Sequence, residues 1–391
     1  MGTEHYRYQG KIKRTINLSA GNSTQTTIPE KSSFSQIIKH FSPAWFAMVM
    51  GTGGLANLLY GLSAKLSFFK PVAQTLFWLN IFVFVLLMLP WLLRWFMHFK
   101  PLTQDLRHPM MSNFFVTMPA AAVVLGTNLF VIGKDFLGDG LINGLGLILW
   151  VVGGVLTLAF SVFVMFNMFF SESIDPEHVN FSWFIPPVVG AVLPLLGKLL
   201  VNVYLFDHAE LAKAINLVDL VFYGIAITLF IILAGVILNR FIFNKMPRET
   251  LLPTFWVILG PVGLGSLALM DLADTAKVLN LVNSVDTLKI AAIIFWGFGL
   301  WAILLTIAIT FYYLRRGKIP FTLGWWAFIF PLAAYALASY SIYNYTKIEL
   351  VYWYTLALAA LLSFLWVVTM INTLTGIIKH RILYRVNAND A

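Results

Sequence analysis

The chain of 391 residues contains no cysteine. Disulfides, thiolate metal sites and cysteine nucleophiles are therefore excluded. Charged residues make up only 11% of the chain, against about 25% in soluble domains. The sequence also lacks a nucleophile elbow, a phosphate-binding loop and a dinucleotide fingerprint. Because these usual signs of catalysis are missing, we expect neither enzyme activity nor a metal or other cofactor.

Apolar residues, by contrast, make up 59% of the chain, against about 45–50% in soluble domains. They fall into ten continuous charge-free stretches. A helix of about 20 apolar residues crosses a hydrocarbon core of about 30 Å, and each stretch is long enough for this. A β-barrel would show alternating segments of about 10 residues instead. The sequence therefore predicts an all-α polytopic membrane protein with ten transmembrane helices.

The odd-numbered spans begin at nearly constant intervals. Their spacings are 69, 70, 68 and 70 residues. The predicted starts are Ala44, Asn113, Trp183, Leu251 and Phe321. A constant period indicates a repeated structural unit, which is here a helical hairpin used five times.

Prolines divide the spans by parity. Spans three, five, seven and nine contain interior prolines, whereas four, six, eight and ten contain none, and only the second breaks the rule, with Pro90. These interior prolines are Pro119, Pro186, Pro187, Pro194, Pro261 and Pro331. A proline removes a backbone hydrogen bond and bends a helix, which membranes tolerate where protein or water replaces the lost partner. We therefore expect the odd spans inside, lining a path, and the even spans outside, facing lipid.

The net charge of +9 follows the membrane topology. One side of the predicted topology carries 18 lysines and arginines and the other carries 8. Since cytoplasmic loops are enriched in these residues, both termini are predicted to be cytoplasmic, and no nucleic-acid partner is expected. Residues 1–42 form a polar, flexible tail without signal-peptide features, residues 43–380 form the transmembrane domain, and residues 381–391 form a short second tail.

The inner spans contain almost no charge, so the path is expected to be lined by apolar, aromatic and hydroxyl side chains. The expected hydroxyls belong to Thr52, Thr117, Thr127, Ser266 and Ser339. Such a pore gates by obstruction or dewetting, while a positive rim and exposed helix N-termini favour anions. Asp219, Asp271 and Asp274 are read either as solvated residues at helix ends or as proton-coupling carboxylates.

Four ordered motifs carry a family resemblance. They are Trp325-Trp326-Ala327-Phe328-Ile329-Phe330-Pro331, Phe41-Ser42-Pro43-Ala44-Trp45-Phe46 leading into Gly51-Thr52-Gly53-Gly54, Leu106-Arg107-His108-Pro109 before Asn113, and Trp183-Phe184-Ile185-Pro186-Pro187. Together they resemble the tellurite-resistance/dicarboxylate transporter family, which includes TehA-type proteins, malate permeases, sulphite efflux pumps and slow anion channels. The resemblance spans Phe41 to His380.

The resemblance implies a quasi-fivefold arrangement of five hairpins around a central pore, in a homotrimer at the plasma membrane. It also implies that Phe330 occludes the pore. Candidate pore-lining or kink residues are Gly51, Thr52, Gly53, Thr117, Pro119, Phe184, Pro187, Pro261 and Pro331. We expect an anion channel or uniporter that conducts small anions, with a proton-coupled carrier of C4-dicarboxylates such as malate, or of sulphite, as the alternative.

Overall fold

The computed structural model describes residues 34–171, 174–175, 178–379 and 382. Ten of its helices are long and apolar enough to cross a membrane, which confirms the predicted all-α polytopic fold. They are α1 (Pro43–Leu62), α2 (Phe69–Met97), α3 (Ser112–Val131), α4 (Asp139–Phe169), α5 (Phe181–Tyr204), α6 (Ala209–Phe243), α7 (Glu249–Val278), α8 (Asp286–Leu314), α9 (Leu323–Thr346) and α10 (Glu349–Ile378). Each predicted start of an odd helix falls within two residues of the observed one.

The predicted tails lie mostly outside the described residues. The exception at the amino end is a short helix, Phe34–Lys39. This helix lies within the segment predicted as a flexible tail, and its Ile38 is fully buried. Burial of one large apolar side chain supplies about 1.5–3 kcal/mol, which helps to hold the helix against the helical domain.

Burial separates the odd helices from the even ones. Between 67% and 89% of the most apolar stretch of each odd helix is buried, compared with 28–33% in each even helix. The exposed residues of the even helices include many large apolar side chains, such as Phe82, Phe166 and Ile294. The even helices therefore form the outer layer, as the proline pattern predicts, and apolar surface of this extent is suited to hydrocarbon.

The inner helices contact one another in sequence. α1 packs on α3, α3 on α5, α5 on α7, α7 on α9, and α9 returns to α1. Each inner helix also packs on the outer helix that follows it. The inner layer is therefore closed, while the degree of fivefold symmetry in the arrangement stays a prediction.

The sequence predicts that the inner prolines bend α-helices in mid-span. In the structure these prolines instead lie near the starts of α-helical segments. Each odd helix opens with a 3-10 segment, and the α-helical part begins at Thr117 in α3, Leu259 in α7 and Ile329 in α9. Pro119, Pro261 and Pro331 are thus the third residues of their α-helical segments. In α5, Pro186 and Pro194 occupy the second positions of such segments. Since the first-turn N–H groups have no partner within an α-helix, proline loses little there.

A buried arginine fixes the entry of the chain into α1. Arg94 of α2 is 2% exposed, and its guanidinium donates to the Lys39 and Phe41 carbonyl oxygens at 3.1 and 2.8 Å. It also donates to Asp105 Oδ2 at 2.6 Å. Because every donor direction of a buried arginine must be satisfied, this network holds the segment that precedes Pro43 in one position.

Glycine allows α7 to approach α9 closely. A Cβ atom on Gly263 would lie 2.6 Å from the Ala334 carbonyl carbon and 2.7 Å from Tyr335 Cα. These neighbours are backbone atoms of a buried helix, so they cannot rotate away. Small residues serve in this way between membrane helices.

We predict that Gly263→Ala destabilises the protein, because the added methyl group forces α7 and α9 apart. Overpacking of this kind costs about 1–3 kcal/mol, and thermal unfolding of the purified protein in detergent would show a lower Tm. Gly297→Ala is the matched control, since Gly297 lies on the exposed side of α8 with open space around it. Equal Tm values for the two variants would contradict the close-approach explanation.

Candidate functional site

A cavity of about 70 Å³ lies among the opening segments of the odd helices. Every odd helix contributes a residue from its 3-10 segment to the lining. These residues include Ala44, Phe114, Ser182, Thr254 and Leu323. The first cavity is therefore surrounded by five helix starts.

A second cavity, of about 20 Å³, lies further along the same five helices. Its lining includes Asn57 of α1, Thr127 of α3, Val192 of α5, Leu267 of α7 and Leu337 of α9. All five residues follow the first-cavity residues along their helices. The two cavities thus succeed each other along the inner layer.

Phe330 and Leu264 line both cavities. Phe330 is the second residue of the α-helical part of α9, directly before Pro331. Its neighbour Phe328 lies elsewhere: it is 5% exposed, and its ring packs at 5.5 Å from the Trp256 ring. The two phenylalanines differ because residues two apart point about 200° away from each other on a helix.

The lining of both cavities is apolar, with a few neutral polar groups. No charged side chain of the described chain lines either one. In the first cavity, Thr117 Oγ1 lies within 2.7 Å of the Pro43 and Phe114 carbonyl oxygens, and Thr254 Oγ1 donates to the Leu251 carbonyl at 2.7 Å. Because these hydroxyl hydrogens already have acceptors, the cavity offers few side-chain donors.

The structure brings some of the predicted site residues to the first cavity and places others elsewhere. Thr117, Phe184, Pro261, Pro331 and Phe330 all line it. The remaining predicted residues line neither cavity; they are Gly51, Thr52, Gly53, Pro119 and Pro187.

Several of these remaining residues mediate helix contacts. A Cβ on Gly51 would lie 2.9 Å from Ile329 Cγ2 of α9. Thr52 Oγ1 accepts a hydrogen bond from Trp366 Nε1 of α10 at 3.0 Å. The hydroxyls expected on the path at Ser266 and Ser339 also bond to α8, so polar groups on inner helices mostly tie the two layers together.

A group of four charged side chains lies off both cavities. Lys198 of α5 forms ion pairs with Asp271 and Asp274 of α7 at 2.7 and 2.8 Å, and Lys289 of α8 pairs with Asp274 at 2.6 Å. All four side chains are half-buried, and the two lysines neutralise the two carboxylates. The group therefore connects α5, α7 and α8.

Asp219 differs from the expectation of a solvated residue at a helix end. It is 1% exposed, packs against Gly197 of α5, and accepts a hydrogen bond from Trp150 Nε1 of α4 at 3.0 Å. The position eleven residues into α6 explains this burial, because the helix extends beyond the charge-free stretch on which the prediction was based.

Three asparagines of functional interest were missed by the sequence analysis. Asn57, Asn80 and Asn128 lie in α1, α2 and α3 and form a hydrogen-bonded row that ends at the second cavity. A usable signal was present, because an amide inside an apolar span needs a partner.

Comparison with known proteins identifies relatives along nearly the whole helical domain. The family model for voltage-dependent anion channels matches residues 40–374. An uncharacterized transporter of Methanocaldococcus jannaschii is 38% identical over 86% of this chain and 93% of its own length. A sulfite efflux pump of Arthroderma otae is 27% identical over 77% of this chain and 81% of its own, and a malic acid transport protein of Schizosaccharomyces pombe is 22% identical over 76% and 69%. The chain therefore belongs to the voltage-dependent anion channel family, whose relatives include anion transporters, as its motifs predict.

Proposed function

We propose that the protein is an anion channel or uniporter whose path runs through the two cavities and is closed by Phe330. The observation that carries this proposal is that Phe330 lines both cavities, together with Leu264. A side chain that borders both spaces obstructs passage between them. Closure by an uncharged ring also disfavours water in the constriction, so the barrier combines obstruction with dewetting.

The helix starts around the first cavity favour anions over cations. Five helices begin there, and each carries a partial positive charge of about 0.5 at its N-terminal end. N-terminal backbone N–H groups stabilise anions without any charged side chain. A cation path typically contains Asp or Glu rings, and the described lining contains none.

A carrier mechanism is the second candidate, and the functions for which two relatives are named favour it. One is a sulfite efflux pump and another a malic acid transport protein. A proton-coupled carrier of malate or sulphite needs a titratable group that meets the path. The candidate carboxylates are Asp219 of α6 and Asp271 and Asp274 of α7, but none of them lines a cavity, which supports the channel.

The proposal also includes the membrane location and the oligomeric state of the protein. The distribution of lysine and arginine supports cytoplasmic termini in a plasma-membrane protein. The apolar outer helices support contact with lipid and with further copies in a homotrimer. Small anions are then the only ligands that function requires, and we assign no catalysis or nucleic-acid binding to the chain.

We predict that Phe330→Ala raises passive anion flux in proteoliposomes, because it removes the ring between the cavities. Flux should rise about tenfold or more, since lowering a barrier by about 1.4 kcal/mol raises a rate about tenfold. Chloride, nitrate and malate would be compared under an imposed potential. The matched control is Phe328→Ala, which removes the same side chain from the same helix, away from both cavities.

Unchanged flux in Phe330→Ala would contradict the gate assignment. A comparable rise in anion flux in Phe328→Ala would show that the effect comes from general loosening of α9. Leu264→Ala offers an independent check, because Leu264 is the other side chain shared by the cavities and its truncation should also raise flux.

We further predict that anion flux follows the electrochemical gradient and does not depend on a pH gradient. Asp219→Asn should leave the flux of the Phe330→Ala protein unchanged, because Asp219 is buried between outer and inner helices away from the path. Proteoliposome uptake with and without a pH gradient measures this. Saturable malate or sulphite uptake that collapses without the gradient, and disappears in Asp219→Asn, would establish the carrier instead.

A further inference from the structure

A row of three amide side chains crosses from the outer layer to the second cavity. Asn80 Nδ2 of α2 donates to Asn128 Oδ1 of α3 at 2.9 Å, and Asn128 Nδ2 donates to Asn57 Oδ1 of α1 at 2.7 Å. Asn80 and Asn128 are fully buried, whereas Asn57 is half-buried and lines the cavity. The row therefore connects a lipid-facing helix with the proposed path.

Gly53 makes room for this row. A Cβ on Gly53 would lie 2.6 Å from Asn128 Oδ1 and 2.7 Å from Asn80 Nδ2. The two amides occupy the space that a side chain at this position would need. Gly53 therefore lines neither cavity, but it leaves room for the two amides that connect to Asn57.

The backbone fixes the direction of the hydrogen bonds. Asn128 Nδ2 also donates to the Gly53 carbonyl oxygen at 3.0 Å. A carbonyl oxygen accepts only, so the nitrogen of Asn128 must face α1. Its second N–H then points to Asn57, which must present its oxygen. The orientation of all three amides follows from one backbone acceptor.

This direction leaves one buried atom without a partner. Asn80 Oδ1 has no hydrogen-bond partner among the described residues. If the amides of Asn80 and Asn128 were both turned over, Asn80 Oδ1 would accept a hydrogen bond from Asn128 Nδ2. Asn128 Oδ1 would then face the Gly53 carbonyl oxygen, and two acceptors would be in contact. An unpartnered buried acceptor is costly, and its presence shows that the polarity is imposed from the α1 end.

At the cavity end the row leaves an amide donor. Since Asn57 Oδ1 is bonded to Asn128, its Nδ2 is the group available to the cavity, and none of the described residues accepts a hydrogen bond from it. The other polar side chain in this lining, Thr127, donates its hydroxyl to the Val123 carbonyl oxygen at 3.1 Å. Asn57 thus provides an N–H donor in an otherwise apolar space.

We propose that Asn57 Nδ2 binds the permeating anion in the second cavity, and that Asn128, itself oriented by the Gly53 carbonyl oxygen, is the positioning residue that keeps an N–H, rather than an oxygen, on the path. The ligand class is a small monovalent anion, either a halide or an oxyanion such as nitrate. This assignment rests on the proposed function. Selectivity is thereby assigned to a neutral amide in the second cavity, and the direction of this amide is fixed by its hydrogen bond with Asn128.

The test measures reversal potentials under a KCl gradient with purified Phe330→Ala protein in planar bilayers. Adding Asn57→Leu should lower the anion-to-cation permeability ratio about tenfold, the effect of one hydrogen bond to a charged group. Adding Asn57→Asp instead keeps the acceptor for Asn128 but puts a carboxylate in the cavity. The anion-to-cation permeability ratio of the Asn57→Asp variant should fall further at high pH, and it should recover at low pH as the carboxyl is protonated.

The positioning role has a separate readout. Asn128→Leu leaves Asn57 in place but frees its amide to turn, so the permeability ratio should fall. In the Asn57→Leu background the same change should have no further effect, since interacting residues are non-additive. Asn372→Leu is the matched control, because Asn372 of α10 bonds within its own helix and lies off both cavities.

The outcomes separate the two proposals. A conducting Phe330→Ala parent whose selectivity ignores both Asn57 substitutions overturns the Asn57 assignment alone. An equal effect of Asn128→Leu with and without Asn57 overturns the positioning role. Absence of anion flux in the parent overturns the proposed function and this assignment with it. Size-exclusion profiles and Tm values of each variant exclude misfolding as the cause of a lost response.

Discussion

Backbone hydrogen bonding in hydrocarbon is the constraint on which this structure depends. A polar backbone group without a partner costs several kcal/mol in the bilayer core, yet the inner helices contain many prolines. The structure resolves this by placing Pro119, Pro261 and Pro331 in the first turn of an α-helical segment, after a 3-10 opening. The change from 3-10 to α-helix falls within the lining of the first cavity, which in α9 includes Ala327 before the change and Phe330 after it. It therefore also sets the direction of Phe330, the residue before Pro331.

Close helix packing is the second consequence of a bilayer environment. Lipid tails are as apolar as leucine, so inner helices gain stability from contact and from hydrogen bonds rather than from exclusion of water. Glycines supply the contact: Gly263 lies against the backbone of α9, and Gly51 against Ile329. Hydroxyls and indoles supply the hydrogen bonds between layers, as between Thr52 and Trp366. These demands explain why few polar side chains on the inner helices reach the cavities.

Much of the fold could be predicted from the sequence, because its signals are long and repeated. Charge-free stretches located ten helices, and proline parity separated the inner layer from the outer one. The site was less accessible, because pattern analysis does not tell which way a side chain points. Thr117 and Thr52 have similar chemistry on inner helices, but only Thr117 lines a cavity. Asn57 was missed because its hydrogen-bond partner, Asn128 of α3, lies 71 residues away along the chain.

The location of charge decides how such a path can discriminate between ions. Lys198 is held by Asp271 and Asp274, and Arg94 by Asp105 and two carbonyl oxygens. Arg240 of α6 donates to the Lys245 carbonyl oxygen at 2.8 Å. A strong cation beside the path would bind an anion tightly and slow its exit, whereas conduction requires weak contacts. Helix starts and a single amide N–H give weaker, directional attraction. Keeping the charges in structural ion pairs, away from the cavities, is therefore what allows a path with anion preference to remain permeable.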